Sequence, residues 1–151
     1  MPTIVRVNWP DVETAFERNA PGLHSYIDRT SGEVLAVMEA TEEDAERRAQ
    51  VAADPERYIK IEPASSREQY KWMERFVALV EESELRDRLL VTIDGKGAFR
   101  RFKDVLLSFP NDRERWFNYR GELLHFHINR WFEAKQLQPD PPPPWRAGRK
   151  S

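Results

Sequence analysis

The sequence predicts an α+β protein in which a small antiparallel sheet packs against a mainly helical C-terminal half. Two observations predict it. Short alternating segments separated by turn residues fill the first part of the chain, whereas apolar residues at helical spacing dominate after Ser65. The chain has 151 residues and no cysteine, so it is long enough for a core without disulfides. We expect one domain over residues 1–137 and a proline-rich, disordered tail over residues 138–151.

The sheet is predicted to begin with a β-hairpin. His24–Asp28 and Glu33–Met38 have the composition of strands. Arg29–Gly32 lies between them and ends in glycine, where a tight turn needs a left-handed residue. Tyr58–Glu62 alternates apolar and polar residues after its first position and is closed by Pro63. It is the predicted third strand of the sheet.

The helices are predicted from their start signals and apolar spacing. Side chains that cap helices, or residues tolerated in a first turn, precede each apolar stripe. The predicted starts are Asn8, Thr41, Ser65, Gly97 and Asn111. In the fourth helix the predicted core stripe is Phe99, Phe102, Leu106 and Phe109. The last helix is predicted to run to about Leu137.

Charge is unevenly distributed along a nearly neutral chain. The net charge of −2 gives no global attraction to nucleic acid or membranes. Glu39–Arg57 has seven acids against three cations, a balance of −4, and Lys96–Arg120 has seven cations against three acids, a balance of +4. No apolar stretch approaches the roughly 20 residues that span a bilayer. Because the N-terminal residues do not have the pattern of a signal peptide and the chain has no cysteine, we expect a cytoplasmic protein.

The densest group of special residues is Asp94–Asp104, where two glycines precede a predicted helix. Free N–H groups at a helix start attract anions, and Lys96 stands at that end. The run is too short for a Walker A phosphate loop, and no Ser or Thr follows the lysine. The structural interpretation is a joint between two helices, in which Gly95 ends one helix and Arg101 or Lys103 pairs with acids on a neighbour.

From this group we predict a binding surface on one basic helix face, for an anion such as a phosphate-bearing ligand or for an acidic protein partner. The candidate residues are Lys96, Gly97, Arg100, Arg101, Lys103, Arg113 and Arg115. Aromatic residues alternate with these cations, so nucleic acid is an alternative ligand, although the chain as a whole is not basic. Pro141–Arg146 has the spacing of a peptide ligand for aromatic grooves, a further alternative to disorder. The oligomeric state is not readable from the sequence.

An enzymatic function has less support, and no catalytic residue, metal site or cofactor is predicted. His125 and His127 are two residues apart and diverge on a helix, while His24 stands alone. The one enzymatic alternative is a hydrolase that uses Asp28 and Glu33, which flank the hairpin turn. The structural interpretation is that Asp28 accepts hydrogen bonds from the amides of its own turn.

The order of motifs resembles a bacterial family known only as uncharacterised protein family 0158. The resemblance covers roughly residues 10 to 131, the extent of a single domain. The residues that carry it are Tyr26-Ile27-Asp28, Thr30-Ser31-Gly32-Glu33, Tyr58-Ile59-Lys60-Ile61, Tyr70–Phe76, Gly95–Asp104 and Arg115-Trp116-Phe117. The resemblance implies the fold and a bacterial cytoplasmic setting. It implies no activity, cofactor or catalytic residue, and the proline-rich tail lies outside its pattern.

Overall fold

A computed structural model describes residues 2–18 and 20–145 of the chain. In chain order its elements are β1 (Thr3–Arg6), α1 (Trp9–Glu17), β2 (Leu23–Asp28), β3 (Val34–Met38), α2 (Ala45–Ala53), β4 (Tyr58–Lys60), α3 (Ser66–Leu79), α4 (Ser83–Thr92), α5 (Ala98–Leu106), α6 (Pro110–Ala134) and β5 (Leu137–Asp140). The α+β prediction is confirmed. Within the described ranges, no helix is both long and apolar enough to cross a membrane.

The chain divides into two compact units. Unit 1 contains residues up to Ala64 together with those from His127 onward, and unit 2 is Ser65–Phe126. Helix α6 supplies residues to both units, since the division falls between positions 126 and 127. The expectation of one domain over residues 1–137 stays a prediction, because two compact units can belong to a single domain.

The three-stranded sheet of unit 1 confirms the predicted hairpin and third strand. The strand order is β3-β2-β4, and both neighbours of β2 are antiparallel to it. Ile27 lies opposite Val34 on one side and Ile59 on the other, and it is fully buried. Gly32 ends the hairpin turn with a φ of 79°, the left-handed conformation that the sequence predicted.

A second sheet joins the two ends of the described chain, which the sequence analysis did not foresee. Strands β1 and β5 pair in parallel, with Val5 opposite Pro139. The Trp9 indole Nε1–H donates to the carbonyl O of Pro141 at 2.9 Å, and its ring lies 4.9 Å from that of Trp145. The sequence analysis predicted a disordered tail over residues 138–151, whereas Leu137–Asp140 forms strand β5, whose partners lie more than 130 positions earlier in the chain. Residues 146–151 lie outside the described residues.

Helix α1 and the end of α6 fill the core of unit 1. The Asn8 side chain caps α1 by accepting from the Asp11 N–H at 3.2 Å, as predicted. Phe16 is buried, with its ring 5.4 Å from that of Trp131 and 5.9 Å from that of His127. Helix α6 ends at Ala134, short of the predicted Leu137, because Leu137 is buried in strand β5.

Helix α2 protects the edge strand β3 with polar contacts. The Asp44 carboxylate accepts from the Met38 N–H at 2.7 Å, and Arg47 donates to the Ala36 carbonyl at 3.0 Å. No residue of α2 is buried. These contacts satisfy outward-facing groups of an edge strand, which would otherwise pair with other chains. The predicted Thr41 cap is wrong, since Glu42–Asp44 forms a short 3-10 helix and the Thr41 side chain makes no capping bond.

Unit 2 is a helical unit built on an aromatic cluster. The Trp116 ring lies 4.9 Å from Phe102 and 5.3 Å from Phe76, and all three residues are buried. Within the predicted stripe of α5, Phe102 and Leu106 are buried as expected. Phe99 is 39% exposed, so its assignment to the core is wrong. Ala98, Phe102 and Leu106 instead form the buried row at four-residue spacing.

The start signals of unit 2 were only partly visible in the sequence. Ser65 caps α3 as predicted, because its Oγ accepts from the Glu68 N–H at 3.1 Å. Helix α3 ends at Leu79, and α4 starts at a capping residue that was not predicted from the sequence. The Glu82 carboxylate accepts from the N–H groups of Glu84 and Leu85, at 3.1 and 2.9 Å.

Replacing Gly32 with alanine should destabilise unit 1 by more than about 2 kcal/mol, because L residues are strained at its positive φ and the hairpin tip has no space for a side chain. A Cβ at Gly32 would lie 1.6 Å from the Arg6 carbonyl O. Urea unfolding followed by circular dichroism measures the change in the free energy of unfolding.

Gly121→Ala is the matched control. Gly121 lies inside α6, and a Cβ there would meet no atom within 4 Å. The control should raise the free energy of unfolding by about 0.5–1 kcal/mol, the difference between glycine and alanine in helices. Equal effects of the two substitutions would contradict the close approach of the hairpin tip to β1.

Candidate functional site

Three of the predicted cations form an exposed surface at the start of α5, which we call the basic face of α5. Lys96 lies just before the helix, and Arg100 and Lys103 lie on it at a spacing of three residues. All three are exposed, and none of their side chains forms a described hydrogen bond or ion pair. Asp104 lies one turn after Arg100, but the two side chains are not paired within the described ranges.

Arg101 has a structural role that the sequence analysis did not separate from that of Arg100. Its guanidinium donates to the Thr92 carbonyl at 3.1 Å and also to the carbonyls of Asp94 and Lys96. Thr92 is the last residue of α4, so Arg101 satisfies carbonyls that a helix end leaves without partners. It pairs with backbone carbonyls and not with the acids that the structural interpretation expected.

Gly97 leaves space for the Arg101 guanidinium at this joint. Gly95 and Gly97 both have a φ of 79°. A Cβ at Gly97 would lie 3.0 Å from Nη1 of Arg101, close enough to disturb the guanidinium. The Tyr70 hydroxyl donates to the neighbouring carbonyl of Ile93. Gly97 therefore belongs to the joint between α4 and α5 and contributes backbone conformation to the predicted site.

The two predicted cations on α6 have their own partners. The Arg113 guanidinium carbon lies 4.8 Å above the centre of the Phe117 ring, a cation–π contact. Arg115 donates to the Asp112 carboxylate at 3.2 Å. Both partners lie within one turn on the same helix. These contacts leave Lys96, Arg100 and Lys103 as the predicted cations whose side chains have no described partner.

Exposed apolar side chains accompany the basic face of α5. Phe99 is 39% exposed and Leu107 is 63% exposed. Each lies four residues from Lys103, which places the three side chains along one side of the helix. The surface is therefore mixed, with cations and apolar groups side by side.

A second set of cations, which the sequence analysis missed, lines a cleft of about 340 Å³ along α3. Arg67, Lys71 and Arg75 recur at four-residue spacing, and Glu68 and the buried Trp72 also border the cleft. The signal was visible in the sequence as cations at i, i+4 and i+8. It was overlooked because the apolar stripe of the same helix dominated the pattern.

The proposed hydrolase pair does not form. The Asp28 carboxylate accepts from the N–H groups of Thr30 and Ser31 at 2.8 and 3.2 Å, as the structural interpretation predicted. Arg57 binds it through two nitrogens at 3.0 and 2.9 Å. The hydrogen bond from Arg57 is the main cause that lowers the pKa of Asp28 to about 2. A group with this pKa holds no proton for general acid catalysis near neutral pH.

Glu33 lies in a different environment from Asp28. It is exposed and borders a polar cleft of about 480 Å³ in unit 1, together with Asp11 and Arg6. Asp28 is buried and does not border this cleft. The cleft that Glu33 borders is therefore not lined by Asp28.

The described histidines form no chelating group. His24 lies 3.3 Å from the Glu39 carboxylate, and the Nε2 of His127 lies 2.7 Å from the carbonyl O of Glu62. Within residues 2–18 and 20–145, no cluster of three or more His, Cys, Asp or Glu residues could hold a metal ion.

The fold and the described residues define a small α+β protein. The model of the Uncharacterised protein family (UPF0158) matches residues 2–141. The chain therefore belongs to UPF0158, and the resemblance seen in the sequence is confirmed. It is 32% identical over 127 residues to the UPF0158 protein PA5073 of Pseudomonas aeruginosa, covering 84% of this chain and 82% of that protein. No solved structure matches the chain.

Asp28→Asn should lower the free energy of unfolding by about 1–3 kcal/mol at neutral pH, because it removes the charge that Arg57 and two backbone amides bind. The pKa of Asp28 falls from 3.8 to about 2 on folding, so its stabilisation is complete above 3.8 and is lost as the pH falls towards 2. Urea unfolding at several pH values measures both effects.

Glu33→Gln is the control for this change, since it neutralises a nearby exposed carboxylate that has no described ion pair. Its effect at neutral pH should stay within about 0.5 kcal/mol. The Asp28→Asn protein should also lose less stability than the natural protein between pH 3.8 and 2. Equal stabilities of the two variants at neutral pH would contradict the structural role of Asp28.

Proposed function

We propose that this protein is a non-enzymatic binding or regulatory protein and that it binds an acidic protein partner through the basic face of α5. One observation supports the proposal most strongly. Lys96, Arg100 and Lys103 are exposed and have no described counter-charge, while the neighbouring Arg101 has three backbone acceptors. Cationic side chains without a described intramolecular partner are available to bind another molecule.

The exposed apolar side chains favour a protein as the partner. Phe99 and Leu107 flank Lys103 at four-residue spacing. Protein interfaces combine an apolar centre with a polar or charged rim, and this helix face has both. A free phosphate would be attracted by the cations but would gain nothing from the aromatic and aliphatic groups. The favoured partner therefore presents carboxylates beside apolar side chains.

Nucleic acid remains a weaker alternative. Unit 2 has twelve Lys and Arg residues against eleven Asp and Glu residues, a balance of +1. Domains that bind nucleic acid are usually strongly basic, because phosphate contacts dominate their affinity. The hydrolase alternative has less support, because Asp28 accepts hydrogen bonds from Arg57 and two amides. The cytoplasmic location stays a prediction.

Arg100→Gln/Lys103→Gln should abolish capture of the acidic partner, because it removes two of the three available cations and leaves the Arg101 contacts intact. The immobilised protein and its variant are exposed to a Pseudomonas aeruginosa lysate treated with nuclease. Captured proteins are identified by mass spectrometry, and the captured acidic protein is then purified and titrated directly. Its binding should weaken at high salt, since exposed charge pairs are screened.

Arg18→Gln/Arg29→Gln is the matched control, because it removes the same charge from two exposed arginines of unit 1 that have no described partner. It should capture the same acidic protein as the natural sequence. The proposal is wrong if both double variants retain the purified partner with equal affinity. Recovery of nucleic acid in place of a protein, when nuclease is omitted, would favour the alternative.

A further inference from the structure

A row of three cations on α3 has no role in the fold or in the proposed partner surface. Arg67, Lys71 and Arg75 are exposed, and none has a described hydrogen bond or ion pair. All three border the same cleft of about 340 Å³. We call these residues the α3 cation row.

The spacing of the row determines the size of the ligand that would engage it. A helix rises about 1.5 Å per residue, so neighbouring cations of the row are about 6 Å apart and its ends are about 12 Å apart along the axis. Residues four apart lie on the same side of a helix, so the three charges face one cleft. Like charges at this spacing repel one another, and a bound anion would relieve that repulsion.

We propose that this cleft binds a small ligand with two or more linked phosphate groups. A single phosphate spans two neighbouring cations, whereas a chain of phosphates reaches all three. Guanidinium groups bind phosphate oxygens in a two-pronged geometry, which places Arg67 and Arg75 at the ends of the chain and Lys71 at its middle. The cleft volume lies near the lower end of the roughly 300–1,000 Å³ typical of small-molecule sites.

The other residues of the cleft favour phosphates over nucleic acid bases. Trp72 borders the cleft but is only 3% exposed, so its ring offers no free face on which a base would stack. Recognition therefore depends on charge and hydrogen bonding to phosphate oxygens.

Glu68 is the acid that borders this cleft, and its removal should change the affinity for an anion in the opposite direction to the removal of a cation. Its carboxylate repels a bound anion, so its removal should strengthen binding. Glu68→Gln keeps the backbone N–H that donates to Ser65 Oγ at 3.1 Å, so the start of α3 is preserved. A change that tightens binding cannot be explained by partial unfolding.

Isothermal titration of the full chain with sodium tripolyphosphate at low ionic strength tests the proposal. Lys71→Gln should weaken binding by about tenfold, the effect of losing one hydrogen bond to a charged group. Glu68→Gln should tighten it by about threefold, as expected for removal of one repelling charge near a surface. Arg18→Gln, an exposed charge loss in unit 1, should leave the affinity unchanged, and orthophosphate should bind more weakly than tripolyphosphate.

Several results would overturn the proposal. They are the absence of tripolyphosphate binding, an unchanged affinity in Lys71→Gln, and equal affinity for orthophosphate. A short single-stranded oligonucleotide that binds more tightly than tripolyphosphate would identify the row as a nucleic acid surface instead. Loss of binding in Arg100→Gln/Lys103→Gln but not in Lys71→Gln would assign the anion to the basic face of α5.

Discussion

The proposed binding surface of unit 2 depends on one interaction, the contact between the Arg101 guanidinium and the carboxyl end of α4. The last carbonyls of a helix have no partners within the helix, and a cation there is favoured by both hydrogen bonding and the helix dipole. Arg101 binds the carbonyls of Thr92, Asp94 and Lys96 from the first turns of the next helix. This contact holds the start of α5 against the end of α4.

The direction of the Arg101 side chain also determines which cations remain for binding. With Arg101 on the α4 side and Phe102 in the aromatic core, Arg100 and Lys103 fall on the outer side of α5. Adjacent arginines in one run thus have separate roles. A similar division occurs in unit 1, where Asp28 satisfies amides of its own turn while Glu33 stays exposed. In both places one charged side chain binds backbone groups while a nearby charged side chain stays exposed.

Local patterns predicted much of the local structure, and a partner distant in sequence accounts for the missed strand β5. The hairpin with Gly32, the Asn8 cap and the Ser65 cap follow from residues within a few positions. Strand β5 was missed because its partner β1 lies at the other end of the chain and its composition indicated disorder. The candidate cations were found from the sequence. The sequence did not show that Arg101 is structural and Arg100 exposed, because the carbonyls that Arg101 binds are known only from the structure.

Arg101→Lys and Arg100→Lys, compared in urea, distinguish the structural role of Arg101 from the proposed binding role of Arg100. Lysine keeps the charge but lacks the planar fork that binds several carbonyls at once. We expect Arg101→Lys to lower the free energy of unfolding by about 1–3 kcal/mol, whereas Arg100→Lys should change it by less than about 0.5 kcal/mol. Equal stabilities of the two variants would contradict the division between a structural arginine and a binding arginine.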